Sequence, residues 1–490
     1  MKKWIVVLCI VTLGFSVTGC GQEEDASLKQ LLSEKLSGEI TVSCYDTMQY
    51  KDFLENAAKT FEKENPGTKI KVESFAPMPE VKTMEDGSVM TSTVDDEQKR
   101  ADYISKINTE LMSGKGADVL AMDVLPYYKY ADGGQLENLQ SYMDADSNFD
   151  IQDYKKNILD AMKYHNGLYI IPLDYTFDYL TYDTSLFNEN EKQSLQKGSK
   201  YTYNQLIEAG IEPFQRANAN VDEPIRMFEK IADYGMLKEL MFLNYDKYID
   251  MENKKVNFND GSFVKLLETV TKYGKNGYLS PQIDYNNFSM EDYQKMKQQK
   301  AFYRTKDNLF LLNEAFKSIG ADSASPFKNI DTGAGDESHD KILGLVANKN
   351  GDVNFKYMQA YGINANSENK ALAWAFIKYI MSDGVPMADY SLPVNNSARM
   401  KKAKIDIMGL TFSNNTMDQS KELTAEQKKI YDVYTKSIEK FSDALSYYPI
   451  KDETINNMIN KEVDCYFDGS KTAEQVASTL QEKIELYLNE

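Results

Sequence analysis

Two pairs of residues, Tyr45 with Asp46 and Asp123 with Tyr127, follow short β-prone segments, where side chains can reach beyond the end of a sheet. A tyrosine ring covers the C–H surface of a polar solute and a carboxylate accepts its hydroxyls, so these residue types suit reversible binding. Bond-breaking chemistry has less to work with. The only histidines, His165 and His339, are far apart and sit in no zinc-like or triad-like spacing. With 75 acidic residues, carboxylate pairs for glycoside hydrolysis are always available, and no spacing selects two of them. Asp144, Asp146, Asn148 and Asp150 alternate as in a calcium loop, but Phe149 and Lys155 occupy the positions that need glycine and glutamate. No phosphate-cradling loop is present, and neither cofactor nor metal is expected. Packing is the ordinary role of any one of the 33 tyrosines, and capping that of an isolated aspartate.

The elements that must position these residues alternate. Ile40–Tyr45 is β-prone, and the stretch after it puts Phe53, Ala57, Ala58 and Phe61 on one helical face until Pro66-Gly67 stops it. Lys69–Phe75 alternates as a strand, Lys99–Ser113 has helical spacing through Ile104, Ile107 and Leu111, and Asp118–Met122 is a third strand. Strand, helix, strand, helix, strand predicts an open parallel α/β sheet whose ligands sit beyond the carboxyl ends of its strands. His165-Asn166-Gly167 reads as a hairpin turn. Pro172 makes the run through Tyr182 an edge strand or a crossing between lobes. Residues 200–320 are mostly helical in pattern, and Trp374 lies in a helix apolar all round, hence in a core.

Lys2 and Lys3, the apolar run Trp4–Phe15 and the small residues up to Cys20 form an export leader too short to span a bilayer comfortably. Val17-Thr18-Gly19-Cys20 resembles the lipobox of bacterial lipoproteins, which implies cleavage after residue 19 and acylation of Cys20. Residues 20–38, polar and acidic at first, then read as a tether. The processed chain has 54 basic against 75 acidic residues, a net charge of −21, which disfavours nucleic acid and adsorption to anionic lipid. A hydrophobic content of 42% supports packed cores, and the length calls for two lobes or more. Cys44 and Cys465 either pair outside the cell or stand as separate buried thiols.

Several segments, in order over residues 39–398, resemble the extracellular solute-binding proteins of ABC importers, in the group that includes maltose-binding protein. They are Phe61-Glu62-Lys63-Glu64-Asn65-Pro66-Gly67 followed by Ile70 and Val72; Gly116-Ala117-Asp118-Val119, with alanine where proline is usual; and Gly134-Gln135-Leu136-Glu137-Asn138-Leu139. Asn166-Gly167-Leu168-Tyr169-Ile170-Ile171-Pro172, Ala301-Phe302, and Gly362-Ile363-Asn364 with Ser367 and Ala373–Ile377 complete the series.

The resemblance implies a periplasmic-binding-protein-like α/β fold with two discontinuous lobes, residues 39–174 plus 361–394 and 175–360 plus 395–490, hinged about a cleft. It adds Thr176, Asp178, Thr305, Asn308 and Tyr361 to the candidate ligand contacts. It also implies a monomer, lipid-anchored through Cys20 on the extracytoplasmic face of a bacterial membrane, that hands a small solute to ABC permease subunits and is not an enzyme. A carbohydrate or oligosaccharide is the first expectation, although the tryptophans such proteins present to sugars are reduced here to Trp374. A glycan hydrolase and a surface lipoprotein that senses without transporting are the alternatives.

Overall fold

The computed structural model describes residues 20–45, 50–75, 80–83, 89–92, 97–219, 221, 224–228, 231–280, 308–315, 340–382, 391–408 and 422–489. In chain order the strands that build the two lobes are β1 (Gly38–Cys44), β2 (Thr68–Ser74), β3 (Val119–Ala121), β4 (Ile171–Pro172), β5 (Asp174–Tyr175) and β6 (Asp178–Asp183). They continue with β7 (Lys200–Tyr201), β8 (Arg226–Phe228), β9 (Asn308–Glu314), β10 (Asp340–Val346), β11 (Ala360–Ile363) and β12 (Leu392–Pro393).

The first sheet has the order β2-β1-β3-β11-β4. Its β2, β1 and β3 are parallel, as the alternation of strand and helix predicts, while β11 returns antiparallel to both β3 and β4. The helix Tyr50–Glu64 buries Leu54, Ala57, Ala58 and Phe61 against this sheet, and Phe61 meets Phe376 edge-on from the helix Lys370–Ile380. Trp374 is core as expected; its indole N–H donates to Asp146 Oδ2 at 2.9 Å, and Lys378 also binds that carboxylate. Asp146 is thereby committed to packing, and no group able to hold a metal ion occurs among the described residues.

The second sheet, β8-β9-β6-β10-β7, corrects two expectations. Of the run expected to be an edge strand or a crossing, residues 173–176 do cross, but their continuation β6 is no edge: it is central and buried on both faces, with β9 and β10 antiparallel on either side. Pro172 does lie on an edge, but on that of the first sheet, in β4. Within the stretch read as mostly helical, strands at Lys200–Tyr201, Arg226–Phe228 and Asn308–Glu314 supply three of this sheet's members. The first two, of two and three residues, are too short for a period of two to register, whereas Asn308–Glu314 is a seven-residue strand whose apolar run Leu309–Leu312 does not alternate.

The segment read as a tether differs as well. It is a helix, Cys20–Ser33, and its Leu28 and Leu32 pack on the core. Cys44 is buried and Cys465 partly so, and the two form no disulfide with each other. At His165-Asn166 both residues have positive φ, 45° and 63°, and Tyr164 and Gly167 exchange backbone hydrogen bonds, as the turn chemistry predicts. No helix among the described residues is long and apolar enough to cross a membrane.

Three segments cross between the lobes. β5 pairs antiparallel with β12, Thr176 exchanges backbone hydrogen bonds with Lys356, and Leu173 N–H donates to Gln359 O. Asp174 joins all three. Its Oδ1 accepts from the backbone N–H of Met358 (2.8 Å) and Gln359 (3.2 Å), and its Oδ2 from the Ser391 hydroxyl (2.7 Å).

Candidate functional site

The loop that leaves β3 begins the site, as expected for the carboxyl end of a parallel strand. Met122–Leu125 and the start of the helix Tyr127–Asp132 form one wall of a cleft of about 440 Å³, with Arg100, Ile104 and Asn108 from the helix Glu97–Met112 beside them. The facing wall comes from the second lobe and the crossings. It comprises Phe242, Phe355, Lys356 and Tyr357, then Tyr448, Lys451 and Asp452 between two C-terminal helices, Glu453 and Thr454 at the start of the second of these, and Tyr487 from the last helix. The helix Ala425–Asp443 ends well before Pro449, and the non-helical stretch that follows, up to Asp452, brings Tyr448 and Lys451 to the gap.

Tilted rings pack together along this wall. Tyr357 and Tyr448 lie 5.4 Å apart between centroids at 33°, and Phe355 and Tyr448 lie 5.7 Å apart at 34°. Burial raises the Tyr357 phenol well above its usual range, and it donates to the Met122 carbonyl at 3.3 Å. Tyr127 is held 4% exposed with its phenol likewise driven up by burial. Its hydroxyl has no hydrogen-bond partner among the described residues. A buried hydroxyl left unmatched costs about 1–3 kcal/mol, which a ligand atom in the cleft would recover.

Contacts across the cleft converge on Asp452. This N-cap of the helix Glu453–Phe467 accepts from Ile455 N–H at 3.0 Å, from Tyr128 at 2.5 Å and from Tyr487 at 3.1 Å. Lys129 lies over the Tyr487 ring, 4.2 Å from its centroid, and donates to its hydroxyl at 2.8 Å. Glu453 pairs with Arg100 at 3.5 Å. Lys451 is exposed to solvent in the open cleft. Partial desolvation by the surrounding protein, then the charge of Lys356, pushes its ammonium down to about 7.

The predicted residues are only partly brought together. Asp123 and Tyr127 line the cleft. Tyr45 does not; it is fully buried in a cluster with Phe75 and Tyr103, 6.2 and 5.5 Å between centroids. Tyr361, 1% exposed, bonds to Gln359 under the first sheet. Thr176 is buried in the hinge, its hydroxyl without a partner among the described residues. Asp178 lines a smaller neighbouring pocket with Glu239 and Lys356, 3.6 Å from the Lys356 ammonium. Asn308 is half-buried in β9. Asp46 and Thr305 lie outside the described residues, and so does the side chain of Cys20.

Lys451, Tyr448, Tyr357, Phe242 and Tyr487 were not anticipated. A run of aromatic and charged residues around Tyr448-Pro449 was the one available signal, and nothing local says that the tail folds back onto the cleft.

Comparison with known proteins agrees with the fold. The family model described as "Bacterial extracellular solute-binding protein" matches residues 46–385. Among solved structures, the sugar-binding protein MalE from Xanthomonas citri is similar with a TM-score of 0.57 at 14% identity, over 92% of this chain and 98% of that one. A family 1 extracellular solute-binding protein from Alicyclobacillus acidocaldarius gives 0.55 at 15% identity, over 94% and 100%. Maltose-bound MalE3 of T. maritima gives 0.50 at 14%, over 92% and 99%. At such identities the likeness is one of fold.

Proposed function

The chain belongs to the bacterial extracellular solute-binding proteins, and from that premise we propose that it is the lipid-anchored capture component of an ABC importer. In this reading Cys20 carries the lipid after cleavage of residues 1–19. The lobes, residues 39–174 plus 361–394 and 175–360 plus 395–490, close over a small polar solute and deliver it to permease subunits. The solute is a carbohydrate or oligosaccharide, bound reversibly by a monomer and not turned over. One observation carries the proposal. A cleft of about 440 Å³ between two hinged lobes is lined with tyrosine faces and carboxylates, and it holds the unmatched Tyr127 hydroxyl.

The first test is a melting screen of residues 20–490 against sugars, oligosaccharides, peptides and polyamines. A solute present at a hundred times its dissociation constant adds about 2.7 kcal/mol to the folded state. Consumption of a hit during the assay would favour a hydrolase instead.

Tyr127→Phe then probes the site itself. The substitution removes a hydroxyl that has no internal partner, so the melting temperature of the unliganded protein should hold or rise slightly. Affinity for the hit should fall about 5- to 10-fold, the value of one neutral hydrogen bond. Unchanged affinity by titration calorimetry would place the solute elsewhere.

A further inference from the structure

Lys451 lines two connected spaces, the cleft and an adjoining chamber of about 340 Å³ that share Phe242, Lys356 and Glu453. Its ammonium sits 3.4 Å from the centroid of the Phe242 ring. Lys356 lies over the same ring at 5.5 Å, but Lys356 is compensated by Asp178. Lys451 makes no ion pair among the described residues, so an exposed ammonium is held over a ring at the cleft wall with its charge open to a ligand.

Its acidic neighbours are already engaged. Asp452 is shared by two phenols and a helix N–H, and Glu453 is paired with Arg100. The cleft as a whole also reverses the sign of the chain. It presents Arg100, Lys129, Lys356 and Lys451 against Asp123, Asp452 and Glu453, in a protein with 75 acidic and 56 basic residues.

Resting on the binding function proposed above, we propose that the solute is an anionic saccharide, with its carboxylate or sulfate seated against the Lys451 ammonium beside Phe242. The depressed basicity of Lys451 fits a cation that lacks its counter-charge: burial, Lys356 and Lys238 push it down, and Glu239 and Glu453 only partly oppose them. Tyr357 and Tyr448, tilted 33° to each other in the cleft lining, give sugar rings an aromatic surface, which a bare inorganic anion or an extended acidic peptide would leave unused. Two joined chambers give room for more than one sugar unit.

The experiment is titration calorimetry of residues 20–490 and of Lys451→Gln. The probes are di- and trisaccharides in three sets: uronate-containing, sulfated, and the neutral methyl esters and unsulfated parents of both, with triglutamate as a peptide control. The expected result is binding of acidic saccharides in preference to their neutral counterparts, weakened by added salt. Lys451→Gln should weaken that binding about 10- to 100-fold while leaving the melting temperature of the unliganded protein in place. The uronate and sulfate sets decide which anion is held. Neutral saccharides bound as well as acidic ones, with Lys451→Gln indistinguishable from the parent, would overturn this inference and leave the binding function standing. Binding of triglutamate alone, or of no probe at all, would overturn the saccharide reading together with it.

Discussion

Asp174→Ala is expected to lose about 3 to 5 kcal/mol of stability in urea unfolding, the largest effect anticipated for a single side chain in this protein. The carboxylate is completely buried and accepts hydrogen bonds from Met358, Gln359 and Ser391, one partner or more on each of the other two crossing segments. Alanine would leave two buried backbone N–H groups and a hydroxyl without acceptors, at about 1–3 kcal/mol each, less whatever the removed charge cost to bury. Asparagine can keep the two N–H contacts and present its amide to Ser391, so Asp174→Asn should retain the fold.

That second variant isolates a pH effect. Burial raises the Asp174 carboxyl to about 6, above its value in the unfolded chain, so folding favours the protonated form. This contribution is therefore present below about pH 4 and is lost as pH rises through 6, a change of about 3 kcal/mol. The difference in unfolding free energy between the parent and Asp174→Asn, followed from pH 4 to 7, should fall by that amount. A flat difference would mean the carboxylate is ionised at no cost.

Glu439→Gln should cost about 3 kcal/mol. Arg399 is 1% exposed and gives Glu439 two hydrogen bonds, Nε to Oε1 at 2.6 Å and Nη2 to Oε2 at 3.0 Å, while Lys155 reaches Oε2 at 2.6 Å. Arg399 also holds the Pro393 carbonyl at 2.9 Å, so this cluster braces β12, the first lobe's Lys155 and the helix Ala425–Asp443 together. Neutralising Glu439 strands a buried guanidinium, typically worth 3–5 kcal/mol. The lower figure applies because Glu439 is about one-third exposed and Lys155 keeps Asp443 at 2.7 Å.

Burial raises the Glu439 carboxyl, but Arg399 and then Lys155 outweigh it and hold the group below the usual range. Its stabilisation is thus present above about pH 4.5 and lost as pH falls further, opposite in sign to that of Asp174. A loss under 1 kcal/mol in the unfolding free energy from urea titration would show that the neutral amide and water can stand in for it.

The first lobe was legible because its strands and helices are long enough for their periods to show. Ile40, Val42, Ile70 and Val72 alternate, and Pro66-Gly67 and Asn166-Gly167 punctuate where the backbone turns. The rule that ligands gather at the carboxyl ends of parallel strands found Asp123 and Tyr127 through β3. Applied to β1, the same rule named Tyr45, which packs inward on Phe75 and Tyr103. A strand tip fixes where a residue starts, not which side of the sheet its ring takes. The far wall of the cleft was illegible for another reason. Tyr448, Lys451 and Tyr487 come from the last fifty residues and reach a wall shared with Asp123 and Tyr127, through contacts such as Tyr128 with Asp452 that span 324 positions and leave no local pattern.

The docked helix at Cys20–Ser33 bears on how such a molecule would live at a membrane. Fourteen helical residues span about 21 Å, where the same stretch drawn out would reach roughly 50 Å. Leu28 and Leu32 fasten that helix to the body, and only eight residues, about 12 Å of helix, precede the first of them. With acyl chains on Cys20, the protein would ride low over the headgroups with one flank always turned toward them. Its diffusion would then be a glide in two dimensions with its orientation to the membrane held by that helix.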